Sequence, residues 1–444
     1  MQTSETPSAA PAPSLLARFS GSSAARDGLI VMAAQALAIV IALLVDVILF
    51  RSLPQVERGT LSAALALRNI LLYVADVGLA LTTVRVASEY FGRGDTASAN
   101  AVFRRALSTR ALLALLVLAL AALLSPALAR FPLAEPARYA LVWAAAAGVF
   151  GMTLTSWGVD VSQSTRRFGL YCFHQVLEAS MRAGAVALLC FVLLSAESVR
   201  ADSVLWIMAA AAILAGGISV FVHRDVLSAA PQSPEIQEAI HEQLRTFGRY
   251  AGAVALLQTV SGFVEILLIQ WQLGSNDTAV FDGARRLASV LPIAGGALTT
   301  VLLPRAAVLA SPSECAAYAK KAFIAGSAMA AVFAGGLALS AGFVIPLLWG
   351  ERYSASIPML RWLCLAYAFT MIVNPLSLVF FPLKRLGLLV ALNAMSLALS
   401  LGLGFHFISQ EGIEGAAWSA VLSRGLALLL FLVAAIFVLR RNNA

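Results

Sequence analysis

Apolar positions in this chain come in long unbroken blocks with no strand-like alternation. The stretch "ALLALLVLALAALL" at 111–124 is the plainest case. A helix crossing a bilayer needs about 20 mostly apolar residues. Membrane barrels instead alternate over roughly ten residues, a pattern these blocks lack. The pattern predicts an all-α polytopic membrane protein with twelve transmembrane helices. They lie near 28–50, 61–84, 111–129, 139–159, 171–195, 203–222, 250–272, 279–303, 322–348, 358–382, 386–408 and 413–439. Residues 1–27, rich in Ser, Pro and Ala and without an apolar signal core, read as a disordered tail. The longest polar interval, 223–249, contains "SPEIQEAIHEQLRTF". Ser-Pro-Glu is a helix start, so a surface helix is expected there, linking two halves at 28–222 and 250–440.

Charge fixes the orientation. Of 31 Lys and Arg residues, 20 fall on the side of the N-terminal tail, six on the opposite side, Arg58 among them, and five inside the predicted spans. Basic residues collect on the cytoplasmic side of a membrane, so both termini are expected in the cytoplasm, in a bacterial inner membrane. The net charge of +8 is mostly this topology signal. Because it is spread over many short loops, it excludes a nucleic-acid surface. Composition agrees: 60% of residues are apolar and 12% charged, against about 25% charged in a soluble domain.

The chain repeats itself. "ALTTV" occurs at 80–84 and again at 297–301, and Arg68 and Arg285 share the same offset of 217. "VDVILF" at 45–50 falls on "VEILLI" at 264–269, and "RRFGL" at 166–170 on "KRLGL" at 384–388. Ordered matches in one register mean duplication. Six spans per half is even, so the repeats are parallel, and a substrate site is expected between them near the midplane.

Charges inside spans are costly and point to function. Asp46 and its repeat mate Glu265 sit late in the first and seventh spans. Arg68 and Arg285 lie about 12 Å into the second and eighth spans as bounded above. Two readings stay open: ion pairs Asp46–Arg68 and Glu265–Arg285 that fix helix register, or arginines facing a wet cavity that takes an anion. Arg286, Arg424 and Asp76 are further deep charges. Asp46, Glu265 and Asp76 are the candidates to carry a coupling H+ or Na+. In the tenth span Asn374 and Pro375 mark an expected hinge. The four cysteines and four histidines are scattered, with neither HExxH nor CxxC, so no metal or cofactor is expected.

"ADVGLALTTVRVASEYFGRGD" (75–95) and "VFDGARRLASVLPIAGGALTTVLLPRAA" (280–307) resemble the second helix and following loop of oligosaccharide flippases. So do "GERYSASIPMLRWLCLAYAFTMIVNPLSLVFFPLKR" (350–385) and "EGIEGAAWSAVLSR" (411–424) resemble that family's C-terminal part. These flippases (Wzx-like, for O-antigen or exopolysaccharide) belong to a superfamily with the multidrug and toxin extrusion (MATE) transporters. The resemblance implies a V-shaped pair of six-helix bundles, alternating access and no covalent chemistry. It implies an undecaprenyl-diphosphate-linked oligosaccharide as substrate, moved to the periplasmic leaflet, with Arg68, Arg285, Arg286 and Arg424 forming a cationic lumen. Polysaccharide-assembly proteins are the implied partners. A chain ending after the twelfth helix favours a repeat unit over lipid II. A MATE-type drug/cation antiporter and an integral membrane enzyme of polysaccharide synthesis are the competing readings.

Overall fold

The computed structural model describes residues 23–193, 199–228, 234–292, 312–380 and 385–441, and no strand occurs among them. The first half is built from α1 (Ser23–Ser52), α2 (Gln55–Asp76), α3 (Leu79–Gly92), α4 (Thr96–Leu123), the short α5 (Ser125–Arg130), α6 (Tyr139–Ser164), α7 (Phe168–Leu188), α8 (Ala201–Val222) and the short α9 (Arg224–Leu227). The second holds α10 (Pro234–Gln272), α11 (Ser275–Ala288), α12 (Pro312–Trp349), α13 (Ser356–Ser377) and α14 (Leu386–Arg441). Nine of the described helices are long and apolar enough to cross a membrane. With its relatives below, this makes the chain a multi-pass membrane protein. The face at which α1 begins is called the near face and the other the far face.

Several predicted bounds move. Helix α14 joins the last two predicted spans, with non-helical backbone at Gly412 (φ 61°, ψ −137°). Just beyond, Gly415 comes so close to the preceding helix that a Cβ there would lie 2.0 Å from the Phe407 carbonyl oxygen. The surface helix expected before residue 250 runs without a break into the next span as α10. The predicted second span is two helices. Val77 and Gly78 both adopt left-handed backbone (φ 43° and 75°), and the Asp76 carboxylate accepts from the amide of Ala80, 3.3 Å away, across the break. Gly252 of α10 packs on this break, where a Cβ would meet the Val77 carbonyl at 2.6 Å.

Small residues let the first half pack tightly. A Cβ on Gly151 of α6 would fall 2.3 Å from the backbone of Ala212 and Ile213 on α8, and one on Gly216 would fall 2.6 Å from the Gly151 carbonyl oxygen. Close backbone approach of this kind drives helix association where lipid supplies no hydrophobic force. The N-cap of α4 is Asp95, which accepts from the Ser98 amide at 2.9 Å. Hydrogen bonds from Ser98, side chain first, hold its carboxyl below the usual range.

The two halves meet through α2, which packs on α10 and α11, and through α3 on α10. Towards the far face the contact is closed. The Thr60 and Ser275 hydroxyls are 2.9 Å apart, and Gly59 has no room for a Cβ against the Ser275 carbonyl. Arg51 donates to the Leu347 and Leu348 carbonyls at the end of α12, and Arg352 donates to the Phe50 carbonyl. Phe50 also stacks on Trp349, its ring centroid 4.3 Å away.

Candidate functional site between the halves

The charged centre of the contact is Asp282, fully buried on α11. Its Oδ1 accepts from Nε and Nη2 of Arg285 at 3.1 and 2.8 Å. Its Oδ2 accepts from Arg58 Nη2 at 3.2 Å, Arg286 Nε at 3.3 Å and the Ser62 hydroxyl at 2.8 Å. Asp46 joins from α1, 3.5 Å from Arg58 and 3.4 Å from Arg286. Three guanidiniums thus share two carboxylates, and Arg58 also lies 3.9 Å over the Phe50 ring. Arg58 and Asp46 come from the first half, Asp282 and Arg286 from the second. Parting the halves at the far face therefore breaks charge-assisted hydrogen bonds in a buried setting, where such bonds are strong.

Nearer the middle, a cavity of about 310 Å³ opens between the halves, lined by Tyr73 from α2 and by Gln258, Thr259, Phe263, Arg285 and Tyr367 from the second half. Arg285 is the charged residue of this wall. Asp282 steers its guanidinium, which lies 4.9 Å from the Phe263 ring centre. Behind Tyr367, Arg424 pairs with Glu265 at 2.8 Å and lies 5.1 Å from the Tyr367 ring.

Arg68 is different. Only 7% exposed, it makes no ion pair with any described carboxylate, and its Nε is buried without a hydrogen-bond partner. Gly148 of α6 makes room for its stem, a Cβ there lying 3.4 Å from Arg68 Cδ. The charges of Arg182, Glu178 and Arg286 act on it. Arg182 and Glu178 are a local pair at 3.4 Å, as their spacing predicts.

These contacts correct the predicted pairing. Asp46 meets Arg58 and Arg286, not Arg68; Glu265 meets Arg424, and Arg285 meets Asp282. The cause is depth. Helix α2 starts at Gln55, so Arg68 is thirteen residues in, about 20 Å from the far end, beyond the reach of Asp46. Arg58, expected on the far surface, is fully buried, and so is Arg110, expected in a near-side loop. Arg110 lies inside α4 and bridges Asp76 at 3.0 Å and Asp160 at 2.6 Å. Sequence reasoning passed over Asp282 and Asp160 altogether. Asp282 was visible as an acid among "VFDGARR", three and four residues before two arginines and on one helical face with them. The Asn374–Pro375 pair lies in the last full turn of α13, which tightens into a 3₁₀ turn at Leu378–Phe380. The Pro375 carbonyl there accepts from the Tyr318 hydroxyl at 3.3 Å.

Solved structures place the fold. A multidrug resistance MATE family transporter of the MOP superfamily in its inward-facing conformation superposes with TM-score 0.65 at 15% identity, covering 94% of this chain and 99% of its own. The lipid II flippase MurJ in an inward closed conformation gives 0.70 at 12% identity, covering 91% and 87%. A MOP superfamily transporter from Pyrococcus furiosus, whose binding pocket is described as of reverse polarity, gives 0.57 at 14%, covering 94% and 96%. No curated protein matches the chain. At these identities the likeness is one of fold, and the relatives are transporters and flippases. The family described as "Polysaccharide biosynthesis protein" matches residues 24–309, more than half of the sequence, and the chain belongs to that family.

Proposed function

We propose that this protein flips a polyprenyl-diphosphate-linked oligosaccharide, a repeat unit of the O-antigen or exopolysaccharide kind, from the cytoplasmic to the periplasmic leaflet of the bacterial inner membrane. In this reading twelve spans form two six-helix halves, 28–222 and 250–440, joined by the segment 223–249. The near face is cytoplasmic and carries both termini. The halves alternate between opening at the near and far faces, with the Asp282 network as the far-face latch and Asn374–Pro375 at the near end of α13 as the hinge.

The charge of the central cavity carries the reading. Arg285 is the charge in its wall, and Arg68, which is not one of the wall residues, is a buried guanidinium whose Nε has no hydrogen-bond partner. An uncompensated buried cation is costly, and a diphosphate supplies the missing charge in a geometry a guanidinium fork fits. About 310 Å³ is room for a diphosphate and part of a sugar, so the rest of the glycan needs the cavity to widen. Arg424 and Arg286 are already held by Glu265, Asp46 and Asp282 and serve as reserve cations that come free when the halves part. The three acids expected to carry an ion each face an arginine, and we read them as latches. A cationic drug would meet an arginine in that wall, which weighs against the antiporter reading. The family's polysaccharide role and the fold shared with a lipid II flippase support the choice of substrate.

Depleting the protein in its own cells tests the proposal. Lipid-linked oligosaccharide is expected to accumulate in the inner membrane, shielded from an impermeant glycosidase in spheroplasts, while surface polysaccharide is lost. Normal surface polysaccharide with lost efflux of a cationic dye would favour the antiporter instead.

A further inference from the structure

At the near end of the first half, where α6, α7 and α8 converge, two histidines are fully buried against each other. His174 of α7 and His223, the C-cap of α8, are both 0% exposed, and their Nε2 atoms are 3.0 Å apart. Helical serines fix where the protons are. The Ser219 hydroxyl donates to the Ala215 carbonyl at 2.9 Å, so toward His174 Nδ1, 3.0 Å away, it accepts. The Ser162 hydroxyl donates to the Gly158 carbonyl at 2.8 Å, so toward His223 Nε2, 3.1 Å away, it also accepts. His174 therefore carries its proton on Nδ1 and His223 on Nε2, and the His223 Nε2–H is shared between Ser162 and His174 Nε2. One nitrogen is left over. His223 Nδ1 is buried, holds a lone pair and has no partner.

Packing alone does not ask for this arrangement, since an unpartnered buried acceptor costs free energy that an apolar side chain would not. We propose that the His174–His223 pair is a proton-binding site, and that the ion coupled to transport is a proton taken up there. A proton arriving on His223 Nδ1 makes an imidazolium. Its Nε2–H stays shared with His174 Nε2, so the two rings hold the added proton as one cation, and the proton leaves by the nitrogen that took it up. The pair gains one proton and one positive charge, and no oxidant or reductant takes part.

The surroundings fit a site with two approaches. Asp225 of α9 and Arg167 at the start of α7 act on His223 from the near surface, where they pair loosely with each other at 3.7 Å and are exposed; Arg224 follows His223 in the chain. On the other side His174 lines a cavity of about 210 Å³ with Asp160 and Glu178, which are held by Arg110 of α4 and by Arg182. From α6 come Trp157, edge-on to the His223 ring, and Gly158, where a Cβ would stand 3.3 Å from His174 Nε2. Arg110 also holds Asp76, and Asp76 caps the break between α2 and α3 on which Gly252 of the other half rests. A positive charge on the pair thus shares that cavity with Asp160, which leads through Arg110 to Asp76 and the joint between the halves.

The inference rests on the flippase reading, and two readouts keep the two apart. The first is flipping of a polyprenyl-diphosphate oligosaccharide in proteoliposomes under an imposed pH gradient. Burial holds His223 below the ordinary histidine range, so wild-type flipping is expected to change severalfold as pH falls below about 6.5 and to respond to the gradient. His223→Gln keeps a donor at the Nε2 position but cannot titrate, and its response is expected to fall below twofold. His406→Gln, exposed and remote, keeps the full response. An unchanged pH and gradient response in His223→Gln, or stimulation by a sodium gradient in place of protons, overturns the proposal. The second readout needs no transport: nitrogen-15 histidine spectra of the purified protein, which has four histidines. Two of them are expected to titrate together as a coupled pair and to lose that coupling in His174→Asn. If wild-type protein flips nothing yet shows the coupled titration, the flippase reading fails and the proton site stands. If the two buried rings stay neutral from pH 4 to 9, the site fails whatever the transport result.

Discussion

Oxidising a Thr60→Cys/Ser275→Cys pair is expected to stop transport completely. The two hydroxyls are 2.9 Å apart across the halves, so the introduced sulfurs come within disulfide reach at the far face. Next to them Gly59 packs directly on the Ser275 backbone, and deeper in, Asp282 gathers Arg58, Arg285 and Arg286. If release requires the halves to part at this face, a bond there traps the protein closed. Activity should return in full on reduction, and each single cysteine should transport normally. Transport at the wild-type rate with the cross-link complete would mean that the substrate does not leave through this face.

Arg68→Ala is expected to lower flipping by about 30- to 100-fold, since a charge-assisted hydrogen bond to a ligand contributes about 2–3 kcal/mol. Stability should move the other way. Arg68 makes no ion pair with a described carboxylate, and the repulsion of Arg182 outweighs the attraction of Glu178, so its removal relieves a buried charge, and the melting temperature should hold or rise. Arg68→Lys should recover part of the activity, because the charge stays while the planar fork is lost. Arg285→Ala removes a cation from the cavity wall, but it takes a partner from Asp282, so it should cost stability as well as transport. The contrast is diagnostic. If Arg68→Ala melts markedly lower and its loss of flipping follows its loss of folded protein, Arg68 is a packing residue and not a ligand of the diphosphate.

The fold class was legible because unbroken apolar blocks and a repeat register are local properties of the chain. The site was legible in kind but not in wiring. Arg68, Arg285, Arg286 and Arg424 stand out as deep cations in the sequence, and all four are buried or partly buried, Arg285 and Arg286 at the contact between the halves and Arg68 against α6 of the first. Their partners could not be read, since Asp46 and Arg286 are 240 residues apart and meet only when two halves dock. Other errors were avoidable. Hydropathy placed the second span at 61, yet Pro54 followed by Glu57 is a helix start that puts Arg58 inside α2. Asp95 before Thr96 is likewise an N-cap that brings Arg110 into the middle of α4. Windows of apolar character miss such polar first turns. The His174–His223 pair carried no sequence signal, because 49 residues separate the rings and the close packing of α6, α7 and α8 joins them.

The most direct measurement places a polyprenyl-diphosphate oligosaccharide in both leaflets of proteoliposomes containing only this protein and follows its exposure to an impermeant glycosidase outside. Without the protein about half of the lipid is cleaved and the rest is protected. With active protein the protected half should become cleavable, while Arg68→Ala and the oxidised Thr60→Cys/Ser275→Cys protein should leave it protected. Protection that persists with wild-type protein, under proton and sodium gradients alike, would contradict the account.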